Sequence, residues 1–242
     1  MKLMITKKNK LAIIIPVFNE ELRLNKTFTA LDVFNRTWSS LEIKVIFVDD
    51  GSTDKTSLMI NNWVKGKSAE LYSYPQNHGK GFAIRFGIKK ASGDYILLCD
   101  ADMSTPLNEL DKFLPFLSKK VPIVIGTRKK YGAEISIHQS WLRENMGKIY
   151  TLLANLITDV KVSDFTCGFK CYRTDVAKKI VELAFIDRWS YDAEFLFLAR
   201  CLDFEITEVP VHWSNDKQTS VRLLKDTARS FLDLCRIKMR RY

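Results

Sequence analysis

Long apolar runs are missing from this 242-residue chain: stretches such as Leu11–Phe18 (LAIIIPVF) fall far short of the roughly 20 residues a membrane-spanning helix needs. The opening MKLMITKKNK is too polar for a secretory signal, so the chain is expected to stay in the cytoplasm. Cysteine is scarce and unpatterned. The five, Cys99, Cys167, Cys171, Cys201 and Cys235, form no framework of spaced pairs, and an odd number suits free thiols in a reducing compartment. No second Cys/His pair completes a zinc site around Cys167 and Cys171, and His78, His138 and His212 are scattered. Glycine-rich phosphate loops are absent as well. The first strand runs into PVFNEE, without the glycines of a dinucleotide site, and no GxxxxGK[ST] occurs. Neither internal repeats nor low-complexity linkers interrupt the chain.

What remains is a foldable, basic sequence. Hydrophobic residues make up 46% and aromatics 12%, enough for a sizeable core. Lys and Arg number 38 against 28 Asp and Glu, a formal charge of +10, which points to an anionic partner: nucleic acid, a phosphorylated ligand or acidic lipid. Nucleic acid is set aside, because no interleaved aromatic and basic signature or helix-turn-helix pattern is present.

Short β-branched runs alternate with amphipathic stretches. LAIIIPVF, IKVIFVDD, ELYSY and DYILLCD read as strands separated by helices, which argues for a mostly parallel sheet with helices on both faces. The first helix is expected over the NEELRLNKTFTALDVFNRTW stretch, with Leu22, Thr29 or Ala30 and Val33 inward and acids in its first turn. Pro106 should open another helix through Leu117, followed by a strand at VPIVIGTR. Trp141 to Thr158 has helical spacing of Leu142, Met146, Ile149, Leu153 and Leu156. EITEVPVHW suits an edge strand, since it tolerates Pro210. Residues 222–242 form a basic amphipathic helix with Leu224, Ala228, Phe231, Leu232 and Cys235 on one side. It either completes the domain of residues 1–221 or rests on an anionic membrane surface.

Ligands of open α/β sheets bind beyond the carboxyl ends of the strands. Three polar clusters fall there: NE after the first strand, DDGSTD after the second and DAD after the fourth. Asp100 and Asp102, two apart, should project to the same side of an extended chain and repel each other unless a cation lies between them. A hard divalent ion, Mg²⁺ or Mn²⁺, completed by water and phosphate oxygens, suits such a pair. The alternative is that both acids cap the helix near Pro106. An EF-hand is excluded, because Thr105 stands where its obligatory glycine would be.

IIIPVFNE, VIFVDDGSTD, NHGKGFAIRFGIKKASGDYILLCDADMSTP, IGTR, DFTCGFKCYR and YDAEFL together resemble the successive motifs of family 2 glycosyltransferases of the GT-A fold, in particular the dolichyl-phosphate β-glucosyltransferase branch. The resemblance runs from about Leu11 to about Arg222. It implies that Pro16, Phe18 and Glu20 shape a nucleoside pocket, that Asp50 accepts a hydrogen bond from the base and that Lys80 lies near the nucleotide. It implies that Asp100, Ala101 and Asp102 are the family's DxD segment, with Asp102 the direct metal ligand. Arg128 and Arg143 map onto arginines that hold phosphates in related polyprenyl-phosphate sugar synthases, with Arg222 beside them. Asp192 and Glu194 stand where relatives that glycosylate a hydroxyl carry a base, or else organise the loop near Arg222. The implied activity is inverting, metal-dependent transfer of a hexose, glucose from UDP-glucose, to a polyprenyl phosphate. GDP-mannose as donor or a glycan hydroxyl as acceptor are the alternatives. Many relatives carry a membrane anchor; here the expectation is peripheral attachment at the cytoplasmic membrane face, a membrane-protein partner or a homo-oligomer.

Overall fold

The computed structural model describes residues 9–39, 41–215 and 223–240. In chain order the elements are β1 (Lys10–Val17), α1 (Leu24–Thr37), β2 (Glu42–Asp49), α2 (Thr56–Trp63), β3 (Ala69–Ser73), α3 (Lys80–Lys90) and β4 (Tyr95–Leu98). A 3-10 turn (Leu107–Lys112) and α4 (Leu114–Ser118) lead to β5 (Ile123–Thr127), β6 (Glu134–Ile137), α5 (Trp141–Thr158) and β7 (Lys170–Arg173). Then come α6 (Thr174–Leu183), α7 (Tyr191–Cys201), β8 (Ile206–Pro210), β9 (His212–Ser214) and α8 (Leu223–Met239).

Seven strands form one sheet in the order β3-β2-β1-β4-β7-β5-β8, and β6 pairs with β9 in a small second sheet. Only β7 runs against its neighbours. Alternate side chains of the central strands feed two cores. Ala12, Ile14, Ile46, Val48, Ile96 and Leu98 face α3 and α5 to α8, whereas Ile13, Ile15, Val45, Phe47 and Leu97 face α1, α2 and α4. Because both faces are covered, these strands read as unbroken apolar runs rather than alternating ones. β8 is an edge strand and carries Pro210, as its sequence requires.

Several local expectations are corrected. Helix α1 starts at Leu24, has no acid in its first turn and buries Leu24, Thr27, Leu31 and Phe34, while Leu22 and Val33 are exposed. The preceding residues are drawn away: the backbone N–H groups of Asn19 and Glu21 donate to Ser52 Oγ and Asp54 Oδ2 of the β2–α2 loop, and that of Glu20 to Thr56 Oγ1 at the start of α2. The helix after Pro106 is split into the 3-10 turn and α4, because Pro115 lacks the N–H that would continue a single ladder. Helix α5 has the expected bounds but turns Tyr150, Thr151, Ala154 and Thr158 inward, leaving Leu142, Ile149 and Leu156 exposed. Helix α8 packs through Leu234 and Ile237, not through Ala228, Leu232 and Cys235, which are exposed; the side chain of Leu224 lies outside the described residues. Its cations stack on the domain's own rings: Arg236 and Arg240 over Phe185, Lys238 over Phe197. No helix among the described residues is long and apolar enough to cross a membrane.

Candidate active site

The sheet order reverses between β1 and β4, since β1 continues to β2 and β3 on one side while β4 leads the other way. A crevice at such a switch point is the usual ligand site of an open α/β sheet. The loops after β1, β2, β4 and β5 open on that edge. Because β7 runs in the opposite direction, the segment before it, Asp164 to Phe169, reaches the same edge.

The acidic pair does not sit on an extended strand. β4 ends at Leu98, and Asp100 to Met103 form a turn in which the Met103 N–H donates to the Asp100 carbonyl at 3.2 Å. Met103 lies in the left-handed region at φ 53°, an uncommon place for a side chain of this kind. Convergence of the two carboxylates therefore comes from a turn, not from strand alternation. Nor do they cap the next helical segment: Asp102 Oδ1 accepts the Ser104 N–H at 2.8 Å, and no side chain caps the 3-10 turn.

Lys80, the first residue of α3, holds Asp100 Oδ1 at 2.5 Å and lies over the rings of Trp189 and Tyr191. Burial works against the Lys80 charge, but Asp100, Asp192 and Asp102 outweigh it and hold its pKa above the ordinary lysine value. Burial likewise opposes ionisation of Asp100, and the Lys80 ammonium more than offsets it, leaving that carboxyl below its usual range. Asp102 is raised, by burial and then by Asp100. The pair is thus short of positive charge on the Asp102 side.

Asp50 is buried and positions Lys80 through the loop that precedes α3. Its Oδ1 accepts the His78 N–H, and its Oδ2 accepts Asn77 Nδ2 and the Gly79 N–H, all at 2.8 Å. Gly79 takes φ 114° there, and a Cβ would press on the Asp187 carbonyl at 2.5 Å. Pro16 is half-buried and Phe18 is 38% exposed at the mouth of the crevice. Glu20 pairs with Arg23 Nη1 at 2.9 Å, and burial pushes its pKa up to about 6 despite that partner. Ala101 is buried, its carbonyl accepting from Thr27 Oγ1 at 2.5 Å.

Across the crevice stands a second group. Arg128 makes a two-pronged pair with Asp164, Nε to Oδ2 at 2.7 Å and Nη2 to Oδ1 at 2.9 Å, adds Thr166 Oγ1 at 2.7 Å and lies over the Trp213 ring. Only its Nη1 is uncommitted among the described residues. Lys129 donates to Thr151 Oγ1 of α5 at 2.7 Å, and burial lowers its pKa. Arg143 shares the inward face of α5 with Tyr150, Thr151 and Ala154, about two to three turns away, and makes no ion pair among the described residues. Arg222 lies outside the described residues.

Asp192 and Glu194 have different surroundings. Glu194 is fully buried, and its two oxygens accept the N–H groups of Phe185 and Ile186 at 2.9 Å each. Asp192 accepts from Lys170 Nζ, a fully buried ammonium that also donates to the carbonyls of Phe165, at 2.9 Å, and Cys167. Lys170 thereby fastens the Asp164–Phe169 segment to α7.

Lys170, Lys129, Asp164 and Gly168 were missed as functional residues by sequence reasoning. Gly168 is the most telling. A Cβ there would lie 2.6 Å from Asp100 Cγ and 2.8 Å from its Oδ1, so only glycine leaves the carboxylate room. A glycine between Cys167 and a buried phenylalanine was the available signal, but nothing in the sequence tells which side chain presses on it.

The donor set fits a hard divalent cation that arrives with an anionic ligand. The Asp102 carboxylate takes its hydrogen bonds from Ser104 and makes no ion pair among the described residues, while no cluster of three or more acidic, histidine or cysteine ligands exists among them. Two carboxylates alone make an incomplete shell that diphosphate oxygens and water complete.

Sheet, switch-point crevice and acidic pair define an α/β domain of the GT-A kind. The family model described as Glycosyl transferase family 2 matches residues 12–181, and the chain belongs to that family. Among curated proteins it is similar to a dolichyl-phosphate beta-glucosyltransferase of Dictyostelium discoideum, 27% identical over 95% of this chain and 74% of the relative. One of the same description from Drosophila melanogaster is 30% identical over 85% and 67%. Among solved structures, glucosyl-3-phosphoglycerate synthase from Mycobacterium tuberculosis, in complex with Mn²⁺, UDP and glucosyl-3-phosphoglycerate, superposes with a TM-score of 0.68 at 18% identity, covering 94% of this chain and 80% of that one. Mannosyl-3-phosphoglycerate synthase from Rubrobacter xylanophilus gives 0.69 over 95% and 72%, also at 18% identity.

Proposed function

We propose that this protein is a metal-dependent, inverting hexosyltransferase that moves glucose from UDP-glucose to the phosphate of a polyprenyl phosphate, working at the cytoplasmic face of a membrane. The observation that carries the reading is the arrangement of Asp100, Asp102 and Lys80 at the switch point, facing Arg128 and Lys129 across the crevice. Cationic and metal-binding groups on one side suit a diphosphate leaving group; basic groups on the other suit an acceptor that is itself a phosphate. The curated relatives named above point to the same donor sugar and acceptor class.

Within this reading the reaction is a single displacement. A phosphate oxygen of the acceptor attacks the anomeric carbon, and the bond from that carbon to the diphosphate breaks with its electron pair leaving on UDP. A phosphate monoester has a second pKa near 6 and is already anionic at neutral pH, so no general base is required. Lys80 Nζ sits where it can donate to the developing diphosphate charge. A divalent ion held by Asp102 and Asp100 would neutralise the same charge when bound. Arg128, locked by Asp164, offers its Nη1 edge to the incoming phosphate, and Arg143 approaches from α5. The pairing of Asp192 with Lys170 and of Glu194 with backbone N–H groups favours the phosphate acceptor over a hydroxyl that needs a base.

Incubation with labelled UDP-glucose, Mn²⁺ and dolichyl or undecaprenyl phosphate tests the proposal: label should move to the lipid fraction. Transfer from GDP-mannose alone would correct the donor, and no transfer from any nucleotide sugar would remove the reading.

A further inference from the structure

The chain from Asp164 to Gly168 is a wall shared by both halves of the crevice, and side chains hold it in place. Among the described residues no backbone–backbone hydrogen bond ties these five residues to the rest of the chain. The flanks are fixed: Ser163 by Thr127 and Glu208, and Phe169 by the Gly126 N–H, which donates to its carbonyl at 2.8 Å. Between them the carbonyls of Phe165 and Cys167 both accept from Lys170 Nζ, whose third donor goes to Asp192.

Lys170 stands where a sheet covered on both faces normally carries an aliphatic side chain. In the register of β7 it lies opposite Leu98 of β4 and Ile125 of β5, and it is fully buried. A lysine is almost never fully buried unless its charge is paired. Since a buried ion pair adds little stability over apolar residues of the same volume, stability alone does not account for it. Its strand neighbours show its reach: Leu98 is two residues before Asp100, and Ile125 three before Arg128.

We propose that Lys170 is a positioning residue for both substrates: by pinning the Phe165 and Cys167 carbonyls it sets Gly168 against Asp100 on the donor side and Asp164 against Arg128 on the acceptor side. The inference rests on the donor and acceptor halves assigned under the proposed function. Each arm is short. Gly168 follows Cys167 directly, and a Cβ on it would meet Asp100 Oδ1 at 2.8 Å, so the wall has no slack on that side. Asp164 precedes Phe165 directly and carries the two-pronged bond to Arg128; Thr166, between the pinned carbonyls, adds a third. Electrostatics follow the same path. Burial opposes ionisation of Asp100, and among the charges that offset it Lys170 follows Lys80. Lys170 also neutralises Asp192, whose charge acts on Lys80 second only to that of Asp100.

Four variants of the full chain test this, at a temperature where circular dichroism shows each one folded: Lys170→Met, Lys170→Arg, Asp192→Asn and Lys170→Met/Asp192→Asn. Lys170→Met keeps the volume and loses the pins, and a shift of the wall by about 1 Å should lower kcat about 100-fold. Calorimetry should show UDP with Mn²⁺ and a soluble short-chain isoprenyl phosphate each binding about tenfold more weakly. Lys170→Arg, which keeps a cation and its donors, should recover about tenfold of the lost kcat. The double variant lacks the unpaired buried carboxylate, so it should melt above Lys170→Met yet turn over no faster. Asp192→Asn, with the pins intact, should lose less than about tenfold. Lower melting temperatures with wild-type kcat and binding in the folded Lys170→Met protein would overturn the inference, and so would weakening confined to one of the two ligands. Wild-type protein that binds both ligands but transfers no sugar, with both weakened in Lys170→Met, removes the transferase reading and leaves the positioning role standing. Transfer by the wild type with undiminished constants in Lys170→Met does the reverse, and wild-type binding of neither ligand overturns both.

Discussion

Gly168→Ala places a methyl group against the carboxylate of Asp100. The added carbon would sit 2.6 Å from Asp100 Cγ, whereas carbon atoms in ordinary contact are about 3.5–4.0 Å apart, so the carboxylate must retreat by about 1 Å. A retreat of that size breaks its bond to Lys80 and moves one half of the acidic pair. Misplacement by about 1 Å costs on the order of 100-fold in rate. The fold should suffer much less. The Lys80–Asp100 pair is partly solvated, with side chains 20% and 33% exposed, and its loss is worth about 1 kcal/mol, or about 2–4 °C in melting temperature for a chain of this size. Initial rates of sugar transfer, donor affinity by calorimetry with and without Mn²⁺, and thermal melts separate the two effects. In Asp100→Ala the methyl has nothing left to displace, so adding Gly168→Ala should change little further. Wild-type kcat/KM and metal-supported donor affinity in Gly168→Ala would refute the assignment of Asp100 to the donor site.

If Arg143 on α5 holds the acceptor phosphate as proposed, Arg143→Ala should raise the KM for polyprenyl phosphate about tenfold and leave UDP-glucose affinity unchanged; a change confined to donor affinity would contradict that role. Asp164→Asn leaves Arg128 without its carboxylate and should cost about 3 kcal/mol, read by urea unfolding near pH 7. Arg128 holds the Asp164 carboxyl well below the usual range, against the penalty of burial, so its contribution is complete above about pH 4 and lost as the pH falls through the folded-state value. The stability gap between wild type and variant should therefore narrow on acidification below about pH 4; a gap that widened would show the pairing to be misassigned. Asp192→Asn should lower the melting temperature by leaving Lys170 buried and unpaired, while kcat of the folded enzyme falls less than about tenfold. A loss of about 1000-fold with an unchanged melt would instead mark Asp192 as a base for a hydroxyl acceptor.

The strands were legible because a sheet covered on both faces needs unbroken apolar runs, and Leu11–Ile15 and Val45–Val48 are buried throughout. Helix faces were legible only in part. In α5 the most apolar residues point outward, so periodicity marked the helix without telling which side faces the core. The 3-10 turn, β6 and α7 were not anticipated. β6 is a short strand half-open to solvent that pairs only with β9, and α7 is buried so completely that it carries no polar face to reveal a helical period. The acidic pair was singled out as a cluster beyond the end of a strand, but through a strand geometry that the turn at Met103 replaces. Lys170 and Gly168 were beyond reach for a common reason: each acts through a neighbour far along the chain, Asp192 in one case and Asp100 in the other.

The most direct test of the central claim is transfer of labelled glucose from UDP-glucose to polyprenyl phosphate with Mn²⁺, measured side by side for wild type and Asp102→Ala. The account predicts label in the lipid phase for wild type, dependent on the metal, and loss of at least about 100-fold in the variant. Undiminished transfer by Asp102→Ala would contradict it.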